Sequence, residues 1–142
     1  MLNQPVRSLI GQQGFVTAPP GTTVRQAAEL MARRQVGAVM VVEDDRLVGI
    51  FSERDAVFRV VARGLEPATT PLAKVMTPAP VTIEPDCSFG HAMAVMQEHH
   101  CRHLPVVENG RPIGIVSARN ALDPELEDFV CEQRRRQQYE AG

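Results

Sequence analysis

A gapless internal repeat constrains this chain more than any other feature. Gly49-Ile50-Phe51-Ser52-Glu53-Arg54-Asp55 recurs as Gly114-Ile115-Val116-Ser117-Ala118-Arg119-Asn120, and sliding the sequence by that offset (114 − 49 = 65) lays Val16–Val57 onto Val81–Leu122. Thr17/Thr82, Pro20/Pro85, Ala27/Ala92, Met31/Met96, Val41/Val106, Gly49/Gly114, Ser52/Ser117 and Arg54/Arg119 are identical pairs. A solenoid needs about three or more units, because each repeat buries its apolar face on the next. Two copies are instead expected to bury one apolar face on the other, and 142 residues accommodate the pair as one domain.

Each copy reads β-α-β-β-α. In the first, Phe15–Thr17 is expected as a short strand ended by Pro19-Pro20-Gly21. Thr22 or Thr23 can cap the helix that follows, in which Val24, Ala27, Ala28 and Met31 recur at i, i+3, i+4 and i+7 and which should end near Gln35. Gly37–Glu43 and Arg46–Phe51 read as a hairpin turning at Asp44-Asp45. Ser52 then opens a helix expected to reach about Arg63 and to stop at Gly64. The second copy repeats this order, with Phe89, Ala92, Met93 and Met96 on one helix face and Asn109-Gly110, a strong hairpin signal, at the turn. In the N-terminal segment Val6, Leu9 and Ile10 are available to pack. Glu66–Pro71 reads as a linker, and Asp123-Pro124 opens a last helix carrying Leu126, Phe129 and Val130 on one face. The expected organisation is a first repeat with its N-terminal segment over 1–64, linker and second repeat over 65–123, and a C-terminal helix over 124–142.

Composition narrows the function classes. Hydrophobic residues are 44% of the chain but aromatics only 4%, with no Trp, so the core must be Val, Ile, Leu, Met and Ala. A net charge of −2 gives no general attraction to nucleic acid or to an anionic membrane, and neither is expected as a partner. No apolar run approaches the ~18 residues of a membrane span, and the first residues lack a signal-peptide pattern, so a cytoplasmic location is expected. Cys87, Cys101 and Cys131 are odd in number and irregular in spacing, which suits free thiols in a reducing compartment. No nucleophile-base order, carboxylate pair or P-loop is visible, so neither an enzyme nor a catalytic cofactor is expected.

The paired β-α-β-β-α units, the Gly-Ile-x-Ser-x-Arg-Asp/Asn endings, Val75-Met76-Thr77-Pro78 before the second unit and Leu104-Pro105-Val106-Val107 within it resemble a tandem cystathionine-beta-synthase (CBS) domain pair, over nearly the whole chain. The resemblance implies an α/β (α+β) fold of two repeats about a pseudo-two-fold axis, forming a stand-alone regulatory module. It also implies two clefts for adenosine-containing ligands, with AMP first among AMP, ADP, ATP and NAD, and a homodimer whose helices meet face to face.

The residues fit that chemistry. An ionised carboxylate such as Asp55 has acceptors for both hydroxyls of a ribose, and Ser52 stands where a helix N-terminus favours phosphate. Ser-x-x-Asp is equally a variant capping box that needs no ligand. By resemblance, the primary cleft combines Ser52, Arg54 and Asp55 with Thr77, Pro78, Ala79 and Val81 against the base and with Arg102 and His103 against phosphate. The secondary cleft combines Gly14, Phe15 and Ala38 with Ser117, Arg119 and Asn120, where the amide has one acceptor oxygen and no charge. His99-His100-Cys101-Arg102-His103 invites a metal or thiol site, but no CxxC or HExxH spacing completes one and no metal is expected. The rival reading is a ligand-independent dimerisation module or scaffold for an unidentified protein partner. Helix faces around Val57, Val60 and Val61 are expected to have little cover within one chain.

Overall fold

A computed structural model describes residues 2–10 and 14–118. The expected last helix, Arg119, Asn120 and Cys131 lie outside the described residues. The elements are α1 (Arg7–Ile10), β1 (Thr17–Ala18), α2 (Val24–Arg34), β2 (Ala38–Glu43), β3 (Arg46–Ser52), α3 (Glu53–Asp55) continuing as a π-helical segment (Ala56–Val61), α4 (Leu72–Val75), β4 (Thr77–Pro78), α5 (Phe89–Glu98), β5 (His103–Glu108) and β6 (Arg111–Ser117). The fold is the expected mixed α+β tandem. Shifted by the same offset, α1 falls on α4, β2 on β5 and β3 on β6, so the repeat reaches further back than sequence identity does.

Local chemistry sets the elements. The Thr23 side chain accepts from the Gln26 N–H while the Gln26 side chain accepts from the Thr23 N–H, a full capping box, and α2 stops at Gln35 in the left-handed region. Ser88 caps α5 through the His91 N–H. Both hairpin turns have positive φ at both central residues, Asp44-Asp45 and Asn109-Gly110, the geometry that matches strand twist. Each hairpin carries a register shift at the equivalent place, Val41/Val42 and Val106/Val107. The first strand is Thr17–Ala18, parallel to Met40-Val41, rather than Phe15–Thr17. Phe15 is thereby left to line a cleft.

The four strands β1-β2-β3-β4 form one sheet and β5-β6 a second, which Ile83 joins through a parallel bridge to Val106. Among the described residues there are two cores, and each receives the lead-in segment that precedes the other repeat. Leu72 and Val75 of α4 pack with Val24, Ala27, Val39 and Phe51. Val6 and Ile10 of α1 pack with Phe89, Ala92, Leu104 and Val116. The lead-ins also satisfy helix N-terminal donors that have no partner within the helix. Phe89 and Gly90 N–H groups donate to the Gln4 and Leu2 carbonyls at 2.8 and 3.0 Å, and Val24 and Arg25 donate to Thr70 and Pro67 at 2.9 and 3.0 Å. Glycine makes the crossing possible: a Cβ on Gly49 would stand 2.3 Å from Met76 Sδ, and one on Gly114 would stand 2.8 Å from Ile10 Cβ.

The helix opened by Ser52 departs from expectation. After three α-helical residues it widens into the π-helical segment, where the Ala62 N–H donates to the Val57 carbonyl. Val60 turns into the first core and is 1% exposed, which corrects the expectation that it shares a weakly covered face with Val57 and Val61. That face is made instead by Val57, Phe58 and Val61, exposed by 54%, 60% and 71%.

Candidate functional site

Strand β3 delivers the Ser52–Asp55 corner. Ser52 adopts extended backbone at the strand end, and its N–H and Oγ–H donate to Asp55 Oδ2 at 2.9 and 3.1 Å. The Asp55 N–H points back at Ser52 Oγ at 3.4 Å, completing the capping box. Asp55 Oδ1 faces Arg59 Nε at 3.4 Å. The carboxylate is thus oriented by its own helix, with Oδ1 the less committed oxygen. Beside the same strand run Thr77 and Pro78, paired with Ile50 and Gly49, and Ala79, whose N–H donates to the Val48 carbonyl and whose φ is +44°. Val81 follows, 37% exposed. Ser52 and Asp55 at the end of β3 and the Thr77–Ala79 segment beside it are therefore held by one strand. Arg54, one residue before Asp55, has its guanidinium 5.7 Å from the centroid of the Phe58 ring.

A cleft of about 820 Å³ is lined by Gly14, Phe15, Ala38 and Ser117 of the expected secondary set, together with Arg102, His103 and Glu53. The basic pair thus lines this cleft, where the sequence reading had set it with Ser52 and Asp55. The Glu53 N–H donates to the Gly37 carbonyl at 3.0 Å and the Ala118 N–H to the Arg102 carbonyl at 2.8 Å, equivalent bonds that extend each hairpin at its open end. The start of β5 lies against the Gly37–Glu53 pair of the other repeat. The His103 ring stands within 3.2 Å, and Glu53 Oε1 within 3.1 Å, of the point a Cβ on Gly37 would occupy.

Charge at this junction is unequal. Burial pushes the His103 imidazole below its usual value; the Glu53 and Asp55 carboxylates oppose that shift and Arg102 adds to it. His103 is therefore biased to the neutral form, which has one donor and one acceptor nitrogen and no charge. Burial likewise pushes the Cys101 thiol up, away from the reactive thiolate. Among the described residues no group of three or more His, Cys, Asp or Glu side chains is placed to hold a metal ion, and His99, His100, Cys101 and His103 do not converge.

Glu53 and Arg59 were missed by the sequence reading. The signal for Glu53 was present in the repeat, since it aligns with Ala118 and so breaks the symmetry at the junction. Arg59 follows Asp55 at i, i+4, an ion-pair spacing the sequence offered, whereas its carbonyl partners Val75 and Met76 lie in the lead-in, a contact that sequence spacing does not reveal.

A model of the CBS domain matches this sequence twice, over residues 6–62 and 72–124. The chain belongs to the CBS domain family. It is 37% identical over 101 residues to the CBS domain-containing protein YhcV of Bacillus subtilis, covering 71% of each chain. It is 39% identical over 108 residues to the CBS domain-containing protein CBSCBSPB3 of Arabidopsis thaliana, where the match covers 75% of this chain but only 19% of the relative. The chain thus spans about a fifth of the plant relatives' length. Among solved structures, the CBS domain protein PAE2072 from Pyrobaculum aerophilum complexed with AMP superposes with a TM-score of 0.78 at 25% identity, over 91% of this chain and 99% of that one. No helix among the described residues of this CBS pair is long and apolar enough to cross a membrane.

Proposed function

We propose that this CBS pair is a non-catalytic sensor of an adenine nucleotide, AMP before ADP, ATP or NAD, and that occupancy alters how the module presents itself to a protein partner. The observation that carries the reading is the Ser52–Asp55 corner set beside Thr77–Val81. An oriented carboxylate suits two ribose hydroxyls, and the exposed lead-in offers an apolar edge for a base. The AMP complex of PAE2072 supports the choice of ligand. Arg102 and His103, which line the neighbouring cleft beside Glu53, supply the phosphate contacts in this reading. Asp55 makes its own cleft the tighter one, because the opposite site relies on the uncharged Asn120.

The module acts as a cytoplasmic homodimer in this proposal, with Val57, Phe58 and Val61 as the contact face. A second reading, a ligand-independent scaffold, is favoured by one fact: three of the contacts an Asp55 carboxylate can accept are already made within the chain. A melting-temperature panel with AMP, ADP, ATP, NAD and adenosine separates the two. A ligand that binds only the folded state adds RT ln(1 + [L]/Kd), about 2.7 kcal/mol at a hundredfold excess over Kd. AMP is expected to raise the midpoint by several degrees. A flat response to every nucleotide supports the scaffold.

A further inference from the structure

We propose that Arg59 is a positioning residue of the Asp55 cleft, a strut that fixes the ribose carboxylate relative to the lead-in that walls the base. This rests on the nucleotide reading above and concerns how that site is held. Arg59 follows Asp55 by one turn, and its Nε faces Asp55 Oδ1 at 3.4 Å. From the same guanidinium, Nη1 donates to the Met76 carbonyl at 2.9 Å and to the Val75 carbonyl at 3.3 Å. These carbonyls lie at the end of α4, a four-residue helix whose last acceptors have no partner within it. Thr77 is the next residue, and Thr77–Pro78 pair with β3 before the chain turns at Ala79.

One rigid planar group therefore spans the helix that carries Asp55 and the peptide that carries Thr77–Val81. The two walls come from opposite ends of the linker, and within the described residues this is the side-chain hydrogen bonding that joins them. The π-helical widening begins directly after Asp55 and includes Arg59; such widenings are frequent at functional sites. Arg59 also leaves Oδ2 to Ser52 and orients Oδ1, the oxygen open to a ligand hydroxyl. A lysine ammonium is a single charge on a flexible stem and does not reproduce a fork that serves a carboxylate and two carbonyls at once.

The test is calorimetric titration of the full chain with AMP, in wild type, Arg59→Met, Arg59→Lys, Asp55→Asn and the Asp55→Asn/Arg59→Met pair, with urea unfolding of each. Arg59→Met is expected to weaken AMP about tenfold, as for loss of a charge-assisted contact. Arg59→Lys should unfold close to wild type yet bind AMP nearly as weakly as Arg59→Met. In the double variant the loss should be clearly smaller than the product of the single losses, because Arg59 acts through Asp55. Wild-type AMP binding left unchanged by Arg59→Met, or losses that multiply independently, overturns this inference alone. Absence of AMP binding by the wild type overturns the nucleotide reading and this inference with it.

Discussion

Replacing Gly114 by Ala tests whether the N-terminal lead-in really crosses onto the second repeat. Gly114 lies in β6, and in an open strand Gly→Ala stabilises by roughly 0.5–1 kcal/mol, because glycine loses more freedom on folding. Here the added Cβ would stand 2.8 Å from both Ile10 Cβ and Cδ1 and 3.2 Å from Cγ2. A backbone-proximal Cβ cannot swing away, so overpacking should dominate at about 1–3 kcal/mol and reverse the sign. Ile10 is 9% exposed in the second core, so Ile10→Ala should cost about 2–5 kcal/mol. It also removes Cδ1 and Cγ2 from the crowded spot, so the double variant should be less destabilised than the sum by at least about 0.5 kcal/mol. Urea unfolding followed by circular dichroism reads all four proteins. At a slope of about 2 kcal/mol per molar, Ile10→Ala should lower the midpoint by about 1 M or more. A stabilising Gly114→Ala, or strict additivity of the pair, would refute the crossing.

The remaining predictions concern charge and association. His103 has a lowered pKa in the folded state, so the unfolded chain binds the extra proton first; stability is fully present above the ordinary value near 6.5 and falls as pH drops below it toward the folded value. Urea midpoints between pH 7.5 and 5 should show that fall in wild type and a smaller one in His103→Gln, whereas parallel curves would remove His103 as the cause. Val61, 71% exposed, sits on the apolar face with Val57 and Phe58, so light scattering at micromolar concentration should find a dimer in wild type and a monomer in Val61→Glu. A monomeric wild type contradicts the proposed contact.

Much of the fold was legible because it rests on local rules. Thr23 and Ser88 are cap residues in front of helical periodicity, and Asp44-Asp45 and Asn109-Gly110 are residues that tolerate positive φ where two apolar runs must reverse. The repeat itself announced two similar halves. What it concealed was exchange between them: Val6 and Ile10 look like members of the first unit by sequence order, yet they fill the second core, while Leu72 and Val75 fill the first. Periodicity reports which residues want burial and says nothing of which core receives them. The same limit applied to Val60, placed inward by a π-helical turn that a 3.6-residue period does not anticipate. For the candidate site, a strand-to-helix motif pointed to Ser52 and Asp55. Asymmetry between the repeats pointed to Arg102 and His103, but the cleft they line depends on how the start of β5 meets Gly37, a long-range fact.

The central claim is that Asp55 holds the ribose of an adenine nucleotide as well as capping its helix. Calorimetric titration of AMP into wild type and Asp55→Ala, paired with the melting temperature of each without ligand, tests it most directly. Loss of the cap alone should cost about 0.5–2 kcal/mol of stability. The account predicts that loss together with an AMP affinity weakened at least about tenfold, since a charge-assisted hydrogen bond contributes roughly 1.5–3 kcal/mol. Saturable AMP binding of equal affinity in both proteins, with only the melting temperature lowered in Asp55→Ala, would contradict it.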